Sequence, residues 1–230
     1  MGSLIVIEGC DGSGKATQAL LLEEALLKMD YKTEIIDFPC YEQDSSLFVR
    51  QYLAGEFGSR AEDVNCYAAS MFYALDRYIC FKRSLSDKYN EGTVFVSNRY
   101  TTSNAVHQMQ KLNKEEWDSY LEWLFDFEYS KLSLPIPDLV IYLDIPSLVS
   151  ERMILDRYNG DHSRMDIHER DIEFQRRSRE AALYCAKKEG WRVVNCSDRN
   201  DIRSRQSIAD EIFGCVIDLL NLNKNENNLI

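Results

Sequence analysis

No stretch of the 230 residues approaches the run of ~20 apolar side chains that a membrane span needs, so a spanning helix is excluded and a cytoplasmic protein is expected. The N-terminal apolar run LIVIE (Leu4–Glu8) is far too short for the hydrophobic region of a signal peptide, and no targeting segment is expected. Positive charge is also scarce, with 27 Lys and Arg against 38 Asp and Glu and a formal net charge of −11. That balance argues against a sequence-independent grip on a nucleic-acid backbone or an anionic membrane, and it requires any phosphate site to gather its arginines locally. CxxC spacing is missing as well: the seven cysteines are scattered and odd in number, so reduced thiols are expected. Internal repeats, linkers and low-complexity boundaries are lacking too. With 45% hydrophobic and 28% charged residues, the expectation is one α/β domain over residues 1–230.

What is present is an alternation of short β-branched runs with amphipathic stretches. Strands are predicted at Ser3–Glu8, Lys32–Phe38, Gly92–Tyr100, Pro137–Pro146 and Trp191–Cys196. Helical spacing runs over Thr17–Met29 and, as one long helix, from about Ala61 to Tyr89. Continuous apolar strands separated by helices point to a parallel sheet covered on both faces.

Between the first strand and the first helix lies GCDGSGKATQ (Gly9–Gln18). Gly9, Gly14 and Lys15 match a phosphate-binding loop in the strand–turn–helix context that makes this motif informative. Glycines let successive backbone N–H groups point at phosphate oxygens, the helix N-terminus adds positive potential, and Lys15 reaches the terminal phosphates. Cys10, Asp11, Gly12 and Ser13 complete the turn, and Ala16 and Thr17 open the helix. Ala16 stands where the motif asks for a hydroxyl that ligates Mg²⁺. Thr17 lies about 100° further round the helix and is expected to face the fold rather than a metal. Asp11 is the nearest carboxylate; local sequence leaves open whether it serves a metal or the turn.

Further along stand Phe38–Gly58 (FPCYEQDSSLFVRQYLAGEFG), Phe72–Arg77 (FYALDR), Asn98–Gln108 (NRYTTSNAVHQ) and PDLVIYLDIP. Arg50, Arg77 and Arg99 fall near predicted element ends, where planar guanidinium forks suit phosphate oxygens. Phe72, five residues before Arg77, is either a face for a flat base or a core side chain. In this order, and together with the glycine loop, these blocks resemble the thymidylate kinases from about Leu4 to Tyr184. The resemblance implies a P-loop NTPase-type three-layer fold, with a five-stranded parallel sheet, helices on both faces and an arginine-rich lid. It also implies ATP and dTMP as substrates, Mg²⁺ with the ATP, and a homodimer joined by helices. It implies Phe72 stacked on thymine, Arg77 bonded to the base, and Arg50 and Arg99 on the dTMP phosphate. Phe38, Pro39, Ser103, Asn104 and Gln108 would line the nucleotide pocket, with Asp11 near the sugar and phosphate. His107 falls where many of the family carry a tyrosine beside the sugar; as a lone histidine it is equally a helix-surface residue. The family's usual Asp-Arg-Tyr reads Asn98-Arg99-Tyr100 here. Ala16 and Asn98 thus both remove an oxygen function, which either relocates the metal shell or inactivates the protein.

The charged stretch Glu151–Glu180 is either a solvated helix pair or, by its place after the fourth strand, the family's mobile lid over about residues 151–170. Some members carry a catalytic arginine in the loop position occupied here by Gly12. This chain is similar to those that supply it from the lid, with Arg152, Arg157 and Arg164 as candidates and Arg157 favoured. Asp166 and Glu169, one helical turn apart, join Asp11 as hard oxygen donors for Mg²⁺. The expected chemistry is phosphoryl transfer from ATP to dTMP by Lys15, Arg99 and a lid arginine. Another nucleotide or deoxynucleoside kinase, or a catalytically impaired nucleotide-binding protein, is the alternative. Adenine recognition is expected near Asn195–Asp201.

Overall fold

A computed structural model describes residues 1–161, 165–166, 168–169, 171–198 and 201–227. Five parallel strands form one sheet: β1 (Ser3–Gly9), β2 (Thr33–Asp37), β3 (Val94–Asn98), β4 (Leu139–Asp144) and β5 (Arg192–Asn195), in the order β2-β3-β1-β4-β5. β1 is central, with Ile7 opposite both Asn98 and Ile141. All five lie within the segments expected to be strands, except that β1 runs one residue further, into Gly9.

Because successive side chains leave opposite faces, the central strands feed two cores. Leu4, Val6, Phe95, Val140 and Tyr142 bury one face against helices α5 (Thr102–His107), α6 (Trp117–Phe125) and α8 (Ile172–Glu189). Ile5, Ile7, Val96, Ile141 and Leu143 bury the other beneath α1 (Lys15–Leu27) and α9 (Arg205–Asn227). Burial of β1, β3 and β4 on both sides explains their near-continuous apolar runs, while the edge strands β2 and β5 are more exposed. The helix expected over Ala61–Tyr89 starts later and is interrupted. A 3₁₀ turn at Ala61–Asp63 precedes α3 (Cys66–Cys80), which Asn65 caps by accepting from the Ala68 N–H; a π turn at Phe81–Leu85 then leads into α4 (Ser86–Asn90). Two short elements complete the helices, α2 (Leu47–Leu53) and α7 (Ser147–Arg157). A small antiparallel hairpin of β6 (Ser197–Asp198) and β7 (Asp201–Ile202) had no signal in the sequence.

The expectation of reduced thiols is corrected at one place. Cys40 and Cys80 form a disulfide joining the segment after β2 to the end of α3, while Cys10, Cys66, Cys185, Cys196 and Cys215 are free. Forty residues separate the pair in sequence, and only the packing of α3 beside the β2 edge brings them together.

Candidate active site

The C-terminal ends of β1, β2 and β3 converge on a cavity of about 330 Å³. Parallel topology puts the loops after these strands side by side, which is why segments far apart in sequence meet here. Of the expected nucleotide residues, Asp11, Phe38, Pro39, Arg77, Arg99, Ser103, Asn104, His107 and Gln108 line it. The stretch expected to be a lid contributes Arg157, Tyr158, Asp166, His168 and Glu169 to its wall.

The glycine loop has the shape its sequence implied. Gly12 and Gly14 adopt φ of 76° and 86°, conformations that side-chain-bearing residues rarely take. Lys15 donates to the carbonyl oxygens of Gly9 and Cys10, both at 2.9 Å. Burial, and then the Arg99 charge, bring its pKa down to about 8. Ala16 is exposed and Thr17 half-buried, so neither offers an oxygen to the loop interior.

Arg99 sits at φ 68°, a left-handed conformation that costs a non-glycine residue on the order of 1 kcal/mol. The turn aims its guanidinium back across β1. Nη2 donates to Asp11, and Nη1 donates to His107 Nε2 at 2.8 Å and to Ser103 Oγ at 3.3 Å. Burial alone would lower the Arg99 pKa, but Asp11 and Glu8 outweigh it and hold the group firmly charged. Burial likewise pushes Asp11 up, and Arg99 followed by Lys15 more than reverses this, keeping its carboxyl well below the usual range. A guanidinium only donates, so His107 Nε2 is an acceptor and the ring is neutral. Burial and the Arg99 charge depress its pKa well below the ordinary value.

Three sequence expectations are corrected. Phe72 does not face the cavity; it packs on the outer side of α3 with Phe48 and Phe57 at ring distances of 6.1 and 5.5 Å. The α3 aromatic that lines the cavity is Tyr73. Residues four apart on a helix share a face, so Tyr73 and not Phe72 accompanies Arg77. Arg50 is exposed and lies outside the cavity wall; its Nη1 donates at 2.7 Å to the carbonyl of Tyr41, which does line it. The carboxylates of Asp11, Asp166 and Glu169 do not assemble as a metal group, and no cluster of three His, Cys, Asp or Glu among the described residues is arranged to hold one. Each is nearer another partner: Asp11 pairs with Arg99, Glu169 with Arg157 at 3.0 Å, and Asp166 Oδ1 accepts the backbone N–H groups of His168 and Glu169. Burial and the neighbouring Asp11 charge raise the Asp166 pKa to about 6.

At position 98 the negative charge comes from the adjacent strand, where Asn98 Nδ2 donates to Asp37 Oδ1 at 2.6 Å. Of the lid arginines, Arg157 is half exposed and lines the cavity, Arg152 on the same helix does not line it, and Arg164 lies outside the described residues. The expected adenine segment Asn195–Asp201 spans the β6–β7 hairpin, with residues 199 and 200 outside the described ones.

Two groups escaped the sequence reading because nothing local marks them. Glu8, fully buried, accepts from the Gly9 N–H, Thr102 Oγ1 and Ser103 Oγ beneath Arg99. His168 anchors the lid: Lys111 Nζ donates to Tyr52 Oη at 2.9 Å, which leaves the Tyr52 proton to be donated to His168 Nε2, also at 2.9 Å. Burial and the Lys111 charge hold the His168 pKa down at about 3, so the anchor is neutral.

Comparison with known proteins identifies the family. The family model described as thymidylate kinase matches residues 7–207. A thymidylate kinase of Mycobacterium tuberculosis is 31% identical over 82% of this chain and 87% of its own length. A probable thymidylate kinase of Pyrobaculum aerophilum is 29% identical over 86% of this chain and 90% of its own. The thymidylate kinase of Arabidopsis thaliana is 27% identical over 93% of this chain and 73% of its own. The chain belongs to the thymidylate kinase family.

Proposed function

We propose that the protein transfers the γ-phosphoryl group of ATP to dTMP, giving dTDP and ADP. The observation that carries this reading is a cavity whose wall combines a phosphate-type arginine, Arg99, with an aromatic ring, a second arginine and an amide, Tyr73, Arg77 and Asn104. An anionic group and a flat base are accommodated together at the mouth of a phosphate loop.

In the reaction a phosphate oxygen of dTMP forms a bond to the γ-phosphorus while the bond to the β,γ-bridging oxygen breaks, and that oxygen leaves on ADP. The work of the chain is positioning and charge neutralisation. Phosphate oxygens replace the Gly9 and Cys10 carbonyls as acceptors for Lys15. Arg99 holds the acceptor phosphate, kept charged by Asp11 and Glu8. Arg157 leaves Glu169 to meet charge that grows on the transferring group. The lid, anchored through His168 and Tyr52, keeps water out. Mg²⁺ would come with ATP, held mainly by its phosphates, and would neutralise their charge.

A homodimer is part of the same proposal. Phe48, Met71 and Leu75 are about half exposed on one face of α2 and α3, around a nearly apolar groove shared with Phe72 and Phe127. Light scattering should give the mass of two chains, and Met71→Glu should give one.

The deciding experiment is an ATP-coupled assay with dTMP, dUMP, CMP, GMP and thymidine under Mg²⁺ titration. Turnover of dTMP above the others is expected, and turnover of thymidine without dTMP would refute the substrate assignment.

A further inference from the structure

Behind Arg77 and Asn104 of the cavity wall lies Glu128, which has no exposure at all and sits in a π turn at Asp126–Lys131. Its carboxylate is saturated. Oε2 accepts from Arg77 Nε at 2.6 Å and Thr101 Oγ1 at 2.8 Å; Oε1 accepts from Arg77 Nη2 at 3.3 Å and Asn104 Nδ2 at 3.1 Å. Four donors on two oxygens leave no site for a proton, so every group facing Glu128 is compelled to donate to it.

That has a directional result at the cavity. Asn104 has one donor end and one acceptor end. Glu128 takes the donor end, with the Ser70 carbonyl a further acceptor at 3.4 Å, so the amide Oδ1 is the end left to accept. Arg77 gives Nε and Nη2 to Glu128, which leaves Nη1 as the nitrogen without a bond to that carboxylate. Its guanidinium is further held between Phe38 and Tyr100, with Cζ 5.3 and 5.0 Å from the ring centroids.

We propose that Glu128 is a positioning residue that fixes the polarity with which the cavity reads a pyrimidine, a donor from Arg77 beside an acceptor from Asn104. This pair complements a base with a carbonyl next to a ring N–H, as in thymine or uracil. It opposes cytosine, whose amino group and bare ring nitrogen present the reverse pattern. A site built to hydrogen-bond one pattern rejects the other strongly, because mismatched groups are left buried and unpaired. The inference rests on the cavity being the dTMP site.

Glu128→Gln tests it. The new amide group faces an excess of donors and settles at the Oε1 position, where the Arg77 contact is longer. Asn104 then turns over to accept from it and shows the cavity a donor. The measurement is kcat and KM for dTMP and dCMP at saturating MgATP. Expected are a KM for dTMP raised at least about tenfold, kcat within about threefold, and a dTMP-to-dCMP specificity ratio that falls at least about tenfold. A ratio unchanged from the parent, or both substrates weakened alike, overturns the role of Glu128. If the parent protein itself fails to prefer dTMP over dCMP, the dTMP reading of the cavity fails instead. Should Glu128→Gln not fold, Thr101→Val carries the test. It removes one donor from Oε2 and leaves the charge pair intact, so a several-fold rise in KM for dTMP with kcat unchanged is expected, and an unchanged KM overturns the proposal.

Discussion

Gly12 in the phosphate loop lies directly beneath Ser150 of the lid helix: a Cβ at position 12 would stand 2.8 Å from the Ser150 carbonyl oxygen and 3.2 Å from Met153 Cβ and Ile154 Cγ1. With φ at 76°, the position excludes a side chain by backbone conformation and by space together. Gly12→Arg, which would place an arginine in the loop, is therefore expected to lower stability by about 2–3 kcal/mol without raising turnover. Urea unfolding and steady-state rates check both halves. A stable and faster variant would remove the argument that the arginine must come from the lid.

Arg157 is that arginine in our reading. Its side chain is half exposed and its one described ion pair is with Glu169, so Arg157→Ala should fold normally. The chemical step measured by rapid quench should fall by about 100-fold or more, with dTMP affinity changed little. An unchanged rate constant would move the role to Arg152 or Arg164.

Tyr73 and Phe72 are neighbours on α3, but only Tyr73 lines the cavity. Tyr73→Leu should raise the KM for dTMP about tenfold, the scale of one lost base–aromatic stack. Phe72→Leu should leave KM unchanged. Equal effects from both would mean that the cavity does not stack its base on α3.

Asp166 carries a pH signature. Its folded pKa of about 6 lies above the ordinary 3.8, so folding favours the protonated form. Its contribution to stability is fully present below about pH 4 and is lost as pH rises through 6. Asp166→Asn keeps an oxygen for the His168 and Glu169 N–H groups and removes the buried charge. The variant should exceed the parent by up to about 2–3 kcal/mol at pH 7–8, and the difference should vanish towards pH 4. Paired denaturation curves across that range test it; a constant offset would contradict the assigned cause.

The Cys40–Cys80 disulfide predicts five thiols, not seven, when the unreduced protein is denatured and titrated. Closing a loop of 40 residues restricts the unfolded chain, so reduction should cost about 3–4 kcal/mol, read as a lower denaturation midpoint. Cys80→Ser should behave as the reduced parent does and respond no further to reductant.

Much of this was legible along the chain because it depends on neighbours in sequence. The glycine loop needs only its own backbone and the strand and helix beside it, and five apolar runs declare a sheet buried on both faces. Arg77, Arg99, Asn104 and His107 were visible because whole blocks carry them in order. What failed failed by register: a stretch reading Phe72-Tyr73 offers two aromatics, and only the helical face of Arg77 chooses between them.

The sequence alone determined the sheet, the loop and the supply of arginines, since strand periodicity and turn geometry are local. Tertiary structure alone decided how those groups are held. Asp11 is paired with Arg99, because packing brings a guanidinium against it from the next strand. Asp37 supplies the charge missing at Asn98 because parallel register sets the two side by side. Glu128 commands Arg77 and Asn104 from a π turn far along the chain. A buried carboxylate takes the donors nearest in space, and distance in space is what sequence order does not record.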